Sequence, residues 1–245
     1  GAVLAGVAKD YPKSDLDNVE MIRMLKIVKD SAMKARTQAI NQMKALIVTA
    51  PVELREELAG VNARRLVDRC RRFRPGRLAT PAAAAKHALR LLARRHSQLT
   101  SEIEGVNKEL VRLTAETAPA LVHTFGVGAD TAATLLVTAG SNPERLRSEP
   151  AFAALCGVNP IPASSGKTDR HRLNRGGDRQ ANAALYRVVL VRLRYDERTR
   201  EYMRRRTREG MTKPEGPLPQ TLCRSRSLRS PSANSAETTL TCPRS

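Results

Sequence analysis

The serine doublet Ser164-Ser165 stands directly before Gly166 in a loop rich in proline and glycine, and Lys167, Arg170, His171, Arg172, Arg175 and Arg179 follow closely. A serine hydroxyl is a weak nucleophile. To attack phosphorus it needs a base, and it needs cations to hold the charge that builds on a pentavalent phosphate. This segment supplies the cations, and His171 is a candidate proton acceptor. The same residues also suit a flexible basic loop that grips phosphates without a covalent step, and spacing alone leaves both readings open. GxxxxGK[ST] is absent, so the loop is not a Walker loop.

Two further segments carry chemistry. Residues 121–140 place Gly126-Val127-Gly128 before Thr131-Ala132 and Leu135-Leu136, the pattern of a helix-hairpin-helix. Its glycines permit a tight turn, and they leave backbone N–H groups bare at the next helix start, where a DNA phosphate binds without sequence being read. The alternative is a plain corner with packing glycines. Residues 187–213 place Arg and Glu at one-turn spacing, which fits a salt-bridged solvent face or, because cations exceed anions, a phosphate-facing surface.

These segments need elements to position them. Asp178 is suited to cap a helix from about residue 179, after a turn at Gly176-Gly177. Residues 14–48 read as one long helix, opened by a capping-box-like Ser14 and Asp17. Ile22, Leu25, Ala32, Ala35, Ala39, Met43 and Leu46 form its apolar stripe, with Lys26, Lys29, Lys34 and Arg36 assigned to the opposite face. Pro51 breaks this run and opens a short helix. A basic stretch covers residues 64–77. Thr80 and Pro81 then read as N-cap and first helical position. The steps of three and four through Leu89, Leu92, His96, Leu99, Ile103, Val106, Leu110 and Leu113 make a coiled-coil seam, in which His96 sets register rather than binding metal. The two long helices imply an antiparallel hairpin or a seam shared with a second subunit. Pro119 ends this arm.

The expected fold is all-α: a helical coiled-coil arm over 1–117, a small helical domain over 118–213 with its helix-hairpin-helix-like turn, and a disordered tail over 214–245, rich in Ser, Pro, Thr and Arg. No alternating strand pattern stands out. The 245 residues carry 43 Lys+Arg against 24 Asp+Glu, a formal net charge of +19. Such a surplus opposes compaction unless an acidic partner neutralises it, and nucleic acid is the usual one. Aromatic residues make up only 3%, so base stacking on an aromatic platform is a poor description. No apolar run approaches a membrane span, and no signal peptide opens the chain. Cys70, Cys156, Cys223 and Cys242 lie far apart, which argues against a zinc site or a disulfide scaffold and fits a reducing cytoplasm.

The stretch from Phe125-Gly126-Val127-Gly128 through CGVNPIPASSGKTDRHRLNRGGDRQANAALY to EYMRRRTREGMTKPE resembles the C-terminal domain of the insertion sequence 110 family of transposases, which includes the Piv-type invertases. The SAMKARTQAINQMKALIVTAP stretch is similar to that family's helical region. The resemblance implies a DNA recombinase with three parts: a RuvC-like domain with DEDD carboxylates and magnesium, a coiled-coil arm and a transposase domain. It implies a covalent serine–DNA intermediate on Ser165, with Ser164 as the alternative; from the residues themselves, Gly126, Gly128, Lys167, Arg170, Arg172, Arg175 and Arg179 are the expected nucleic-acid contacts. It also implies a bridging RNA and a homo-oligomer formed through the coiled coil. The RuvC-like part has no counterpart in these residues, so the chain is expected to be a truncated member. It is expected to hold no metal or other cofactor of its own, and to bind nucleic acid without catalysis when alone. A regulatory coiled-coil protein that oligomerises with intact transposase is the alternative. Beyond residue 215 the family's basic helix gives way to an unrelated tail, expected to be a frameshift product.

Overall fold

A computed structural model of the chain describes residues 18–140, 146, 148–159, 161–162, 171–172 and 174–209. Mostly helical, it divides into two compact units. One is Met24–Glu109. The other joins Gly1–Arg23 to Leu110–Ser245.

The Met24–Glu109 unit is built from two long helices and two short ones. Helix α1 (Asn18–Thr49) stops just before Pro51, which is the N-cap of α2 (Val52–Leu58). Helix α3 (Ala63–Arg71) begins at Asn62, whose side-chain oxygen accepts from the Arg65 N–H at 3.0 Å. Helix α4 (Pro81–Thr117) begins as expected: Thr80 Oγ1 accepts from the Ala83 N–H at 3.2 Å and Pro81 follows it. An alanine-rich first turn with high helix propensity carries the helix away. It ends at Thr117 because Ala118 precedes Pro119, and a residue before proline is pushed out of the helical region. Ala118 accordingly has φ −145° and ψ 68°. The expected cap at Ser14 and Asp17 lies outside the described residues.

Met43 of α1, Leu54 and Leu58 of α2, Leu66, Val67 and Cys70 of α3, and Leu89 and Ala93 of α4 form one buried core. The expected seam on α4 is therefore occupied within the chain. Leu89, Ile103, Leu110 and Leu113 are buried, while Leu92, His96, Leu99 and Val106 are half-buried. The end of α1 packs against the start of α4, as in an antiparallel hairpin. Two assignments are corrected: Lys29 is buried and Arg36 half-buried, both on the seam side of α1 rather than on an opposing basic face. The reason is the repeat itself, since Ile22, Lys29, Arg36 and Met43 stand seven residues apart and share a face. Polar residues at such positions fix register at some expense of stability. Burial and then the Arg36 guanidinium hold His96 below its ordinary pKa.

The shorter helices of the other unit follow α4. Helix α5 (Pro119–Val122) is a single turn, and α6 (Ala129–Ala139) buries Ala132, Ala133, Leu135 and Leu136. Helix α7 (Glu149–Leu155) is capped by Ser148. One short strand pair follows within this mostly helical unit. Strands β1 (Ile161–Pro162) and β2 (His171–Arg172) pair antiparallel, with Ile161 opposite Arg172 and Pro162 opposite His171. Two residues per strand are too few to show alternation in a sequence. Helix α8 (Arg179–Tyr195) then packs on α6 through Ala181, Ala184, Leu185, Val188 and Val189, all buried. Helix α9 (Glu197–Arg208) follows α8 directly, and Asp196 is its N-cap.

The His96 shift yields a stability prediction. A folded-state pKa below the unfolded value of about 6.5 means the unfolded chain takes up the proton first. Stability is thus fully present above that pH and falls as the pH drops below it. A His96→Leu variant should melt with a smaller difference between pH 7.5 and pH 5.5 than the parent. Parallel pH profiles for the two would rule the effect out.

Candidate nucleic-acid interface

The segment around the expected nucleophile is organised by two glycines twenty residues apart. Gly157 adopts φ +65°, and its backbone lies directly against that of Gly177. A Cβ built on Gly177 would fall 2.1 Å from the Gly157 nitrogen, and one on Gly157 would fall 3.1 Å from the Gly177 Cα. Glycine at 177 is thus demanded by contact, not by turn geometry as the sequence suggested. Hydrogen bonds staple the same junction. The Asp178 N–H donates to the Leu155 carbonyl at 2.8 Å, and Asn182 Nδ2 donates to the Cys156 and Gly157 carbonyls at 3.2 and 3.3 Å. Asn174 Nδ2 donates to Asn159 Oδ1 at 2.6 Å, while Asn174 Oδ1 accepts from the Gly176 N–H at 2.9 Å.

Asp178 caps α8 as expected, accepting from the Gln180 and Ala181 N–H groups at 2.7 and 3.2 Å. Its second oxygen accepts from Thr138 Oγ1 at 3.0 Å, which ties the start of α8 to the end of α6. Among the described residues Asp178 forms no ion pair with an arginine. Arg172, Arg175 and Arg179 are exposed and form no ion pair among the described residues. The other expected site residues of this segment (Ser164, Ser165, Lys167 and Arg170) lie outside the described residues, as does the His171 side chain. The β1–β2 pair nevertheless sets Pro162 beside His171, at the two ends of the stretch that holds them.

The glycines of the 121–140 segment divide their roles. Gly126 has φ +85°, and a Cβ there would meet Arg192 Cγ and the Val188 carbonyl oxygen, each at 3.3 Å. Arg192 Nε donates to the Phe125 carbonyl at 2.8 Å, locking the turn to α8. Burial pushes the Arg192 guanidinium below its usual range, and the Asp196 carboxylate opposes that shift. Its positive φ and the close approach of α8 both favour glycine at 126. Gly128 is the N-cap of α6 with φ −87°, no side chain caps that helix, and a Cβ there would meet nothing within 4 Å. Space does not demand glycine at 128. The α6 start is open, with one acid, Asp130, in its first turn, 3.7 Å from Arg187.

On α9 both sequence readings find residues. Glu197 pairs with Arg200 at 2.7 Å and Arg204 at 3.0 Å, and Glu209 pairs with Arg206 at 2.7 Å. Hydrogen bonding from Thr199, opposed by burial, is the largest influence holding the Asp196 carboxyl below its usual range. What sequence reasoning missed is the staple: Gly157, Asn159, Asn174 and Asn182. The Asn-rich, Gly-rich composition on both sides of the serine loop was its only signal.

Among the described residues no three His, Cys, Asp or Glu side chains gather as a metal site, and no helix is long and apolar enough to cross a membrane. Residues 118–204 match the Transposase IS116/IS110/IS902 family. No curated protein matches the chain.

The glycine geometry predicts opposite outcomes for two alanine variants. Gly177→Ala forces a methyl group into the Gly157 backbone and should lower the melting temperature of the chain by several degrees or prevent folding. Gly128→Ala meets open space and should leave the melt nearly unchanged. Thermal denaturation followed by circular dichroism separates them, and a tolerated Gly177→Ala would refute the staple.

Proposed function

We propose, from the Transposase IS116/IS110/IS902 family domain at residues 118–204, that this chain binds DNA through that domain and supplies the serine for strand exchange. DNA transposition is the family's function, so DNA is the substrate class. Arg172, Arg175 and Arg179 hold backbone phosphates, with Lys167 and Arg170 beside them in sequence. Gly128 opens the α6 start to a further phosphate. Ser165, or Ser164 in its place, attacks phosphorus: a serine–phosphate ester forms, one sugar–phosphate ester breaks, and the freed sugar oxygen takes up a proton. In this reading the carboxylates, the magnesium and a bridging RNA come from outside these residues, and the chain alone binds without completing recombination.

The observation that carries the reading is the charge left over at the staple. Asp178 caps α8 and ties it to α6, and Arg172, Arg175 and Arg179 are exposed and form no ion pair among the described residues. Partner-dependent regulation through the α4 seam has less support, because Leu89, Ile103, Leu110 and Leu113 are already buried within the chain.

Arg175→Gln with Arg179→Gln should weaken binding of a DNA duplex by about tenfold and flatten its salt dependence by about two phosphate contacts' worth. Ser165→Ala should leave that binding unchanged and abolish the covalent protein–DNA adduct when recombination is reconstituted. Fluorescence anisotropy across a salt series and denaturing gels of the adduct provide the readouts. An adduct that survives both Ser165→Ala and Ser164→Ala would sink the serine assignment.

A further inference from the structure

The basic stretch at 64–77 belongs to the Met24–Glu109 unit, outside the residues matched by the transposase family, and nothing above uses it. Seven arginines lie in it: Arg64, Arg65, Arg69, Arg71, Arg72, Arg74 and Arg77, against one acid, Asp68. All seven are exposed. Arg69 pairs with Glu57 at 3.2 Å, and the other six have no ion pair among the described residues.

This is a held surface. Leu66, Val67 and Cys70 are buried in the core, so the rotation of α3 is fixed. The Cys70 thiol is pushed up to about 11 by burial, which marks how dry that face is. At 3.6 residues per turn, Arg64 and Arg71 form one row on the outward side and Arg65 and Arg72 another, roughly a third of a turn apart. Asp68 lies between the rows. Beside the second row runs a cleft of about 750 Å³ between α3 and the α2–α3 loop, lined by Arg65, Arg69, Arg72 and Phe73. Glu57 and Asp68 also line it; the Glu57 carboxylate is shared by Arg69 and by Lys86 at 3.8 Å, and the three arginines outnumber the two acids.

We infer that this face of α3 and the turn after it form a second nucleic-acid contact, which grips the two phosphate strands of duplex DNA across a groove. The inference rests on the reading of the chain as a DNA-binding protein and adds a site for that substrate. Arginine suits phosphate because its planar fork donates in pairs. Two rows on one helix, about 10–12 Å wide with its side chains, match the width of a B-DNA major groove, about 12 Å. The A-form major groove of duplex RNA is too narrow and deep for the same approach. An acid between the rows faces the groove, away from the phosphates. Single strands are a poor fit, because stacking needs a free aromatic face. Phe73 is half-buried, and the Lys86 ammonium stands 5.7 Å from its ring centre.

The test uses the full chain and three matched variants: Arg64→Gln/Arg71→Gln/Arg72→Gln on the patch, Lys34→Gln/Lys44→Gln/Lys108→Gln elsewhere on the same unit, and Arg175→Gln/Arg179→Gln in the transposase domain. Anisotropy titrations of a DNA duplex, an RNA duplex of the same sequence and a single strand are run across salt. The patch variant should lose about tenfold in DNA affinity, with a log–log salt slope shallower by about 2 to 3. The charge-matched control should change by less than a third of that. Equal losses for patch and control, or no loss for the patch, would overturn the inference. A patch effect as large on RNA as on DNA would overturn the assignment to DNA. If the patch variant fails to fold by circular dichroism, Arg74→Gln/Arg77→Gln, beyond the helix, takes its place with an expected slope change of about 1 to 2. The transposase-domain variant keeps the two readings apart. If it alone weakens binding, the patch is excluded and the domain stands. If the patch variant alone does, the domain reading fails and the patch stands.

Discussion

Gly177 has no side chain because the Gly157 backbone occupies the space where one would stand. That contact closes the chain from 157 to 177 into a loop and fixes both of its ends on packed helices. Closing a loop of this length costs conformational entropy, though the cost grows slowly with length. Here it is offset by a set of short hydrogen bonds: Asp178 N–H to Leu155, Asn182 to Cys156 and Gly157, Asn174 to Asn159. Amide side chains suit this work because each offers a donor and an acceptor and carries no charge. A carboxylate in the same position would bring an anion to the place where the cations Arg172, Arg175 and Arg179 are needed.

The distribution of acids follows a similar logic. Asp178 and Asp196 cap α8 and α9, Glu197 and Glu209 engage arginines of α9, and Glu57 holds Arg69 and Lys86. These acids are engaged with groups inside their own unit. A net charge of +19 is therefore not spread evenly as a background. It surfaces where arginines outnumber the engaged acids, around the staple and along α3. Exposed ion pairs add little stability. The significance of such pairs on α9 is that they remove Arg200, Arg204 and Arg206 from the cations most available to an outside phosphate.

Much of this was legible in the sequence wherever the signal was local. Thr80-Pro81 and Pro119 bounded α4, Asp178 announced α8, and the seam from Leu89 to Leu113 named residues that the structure buries or half-buries. What failed was non-local or ambiguous. Lys29 was assigned by its charge, although its spacing of seven from Ile22 put it on the seam side, where it is buried. Gly126 and Gly128 looked equivalent, yet one is fixed by φ +85° and by α8 beneath it and the other by nothing nearby. The Gly157–Gly177 contact left no trace in periodicity, because it joins backbones twenty positions apart. The β1–β2 pair is two residues long on each side, shorter than any alternation that could announce it.

The two arginine surfaces lie on different compact units, and this has a consequence for how binding energy adds. Phosphate contacts contribute through released counterions, so each surface alone gives modest, salt-sensitive affinity. When both engage one DNA, the second contact becomes intramolecular, and affinity rises by the effective concentration of the tethered unit without any new chemistry. Contacts of this kind respond to shape and deformability, since phosphates carry no sequence directly.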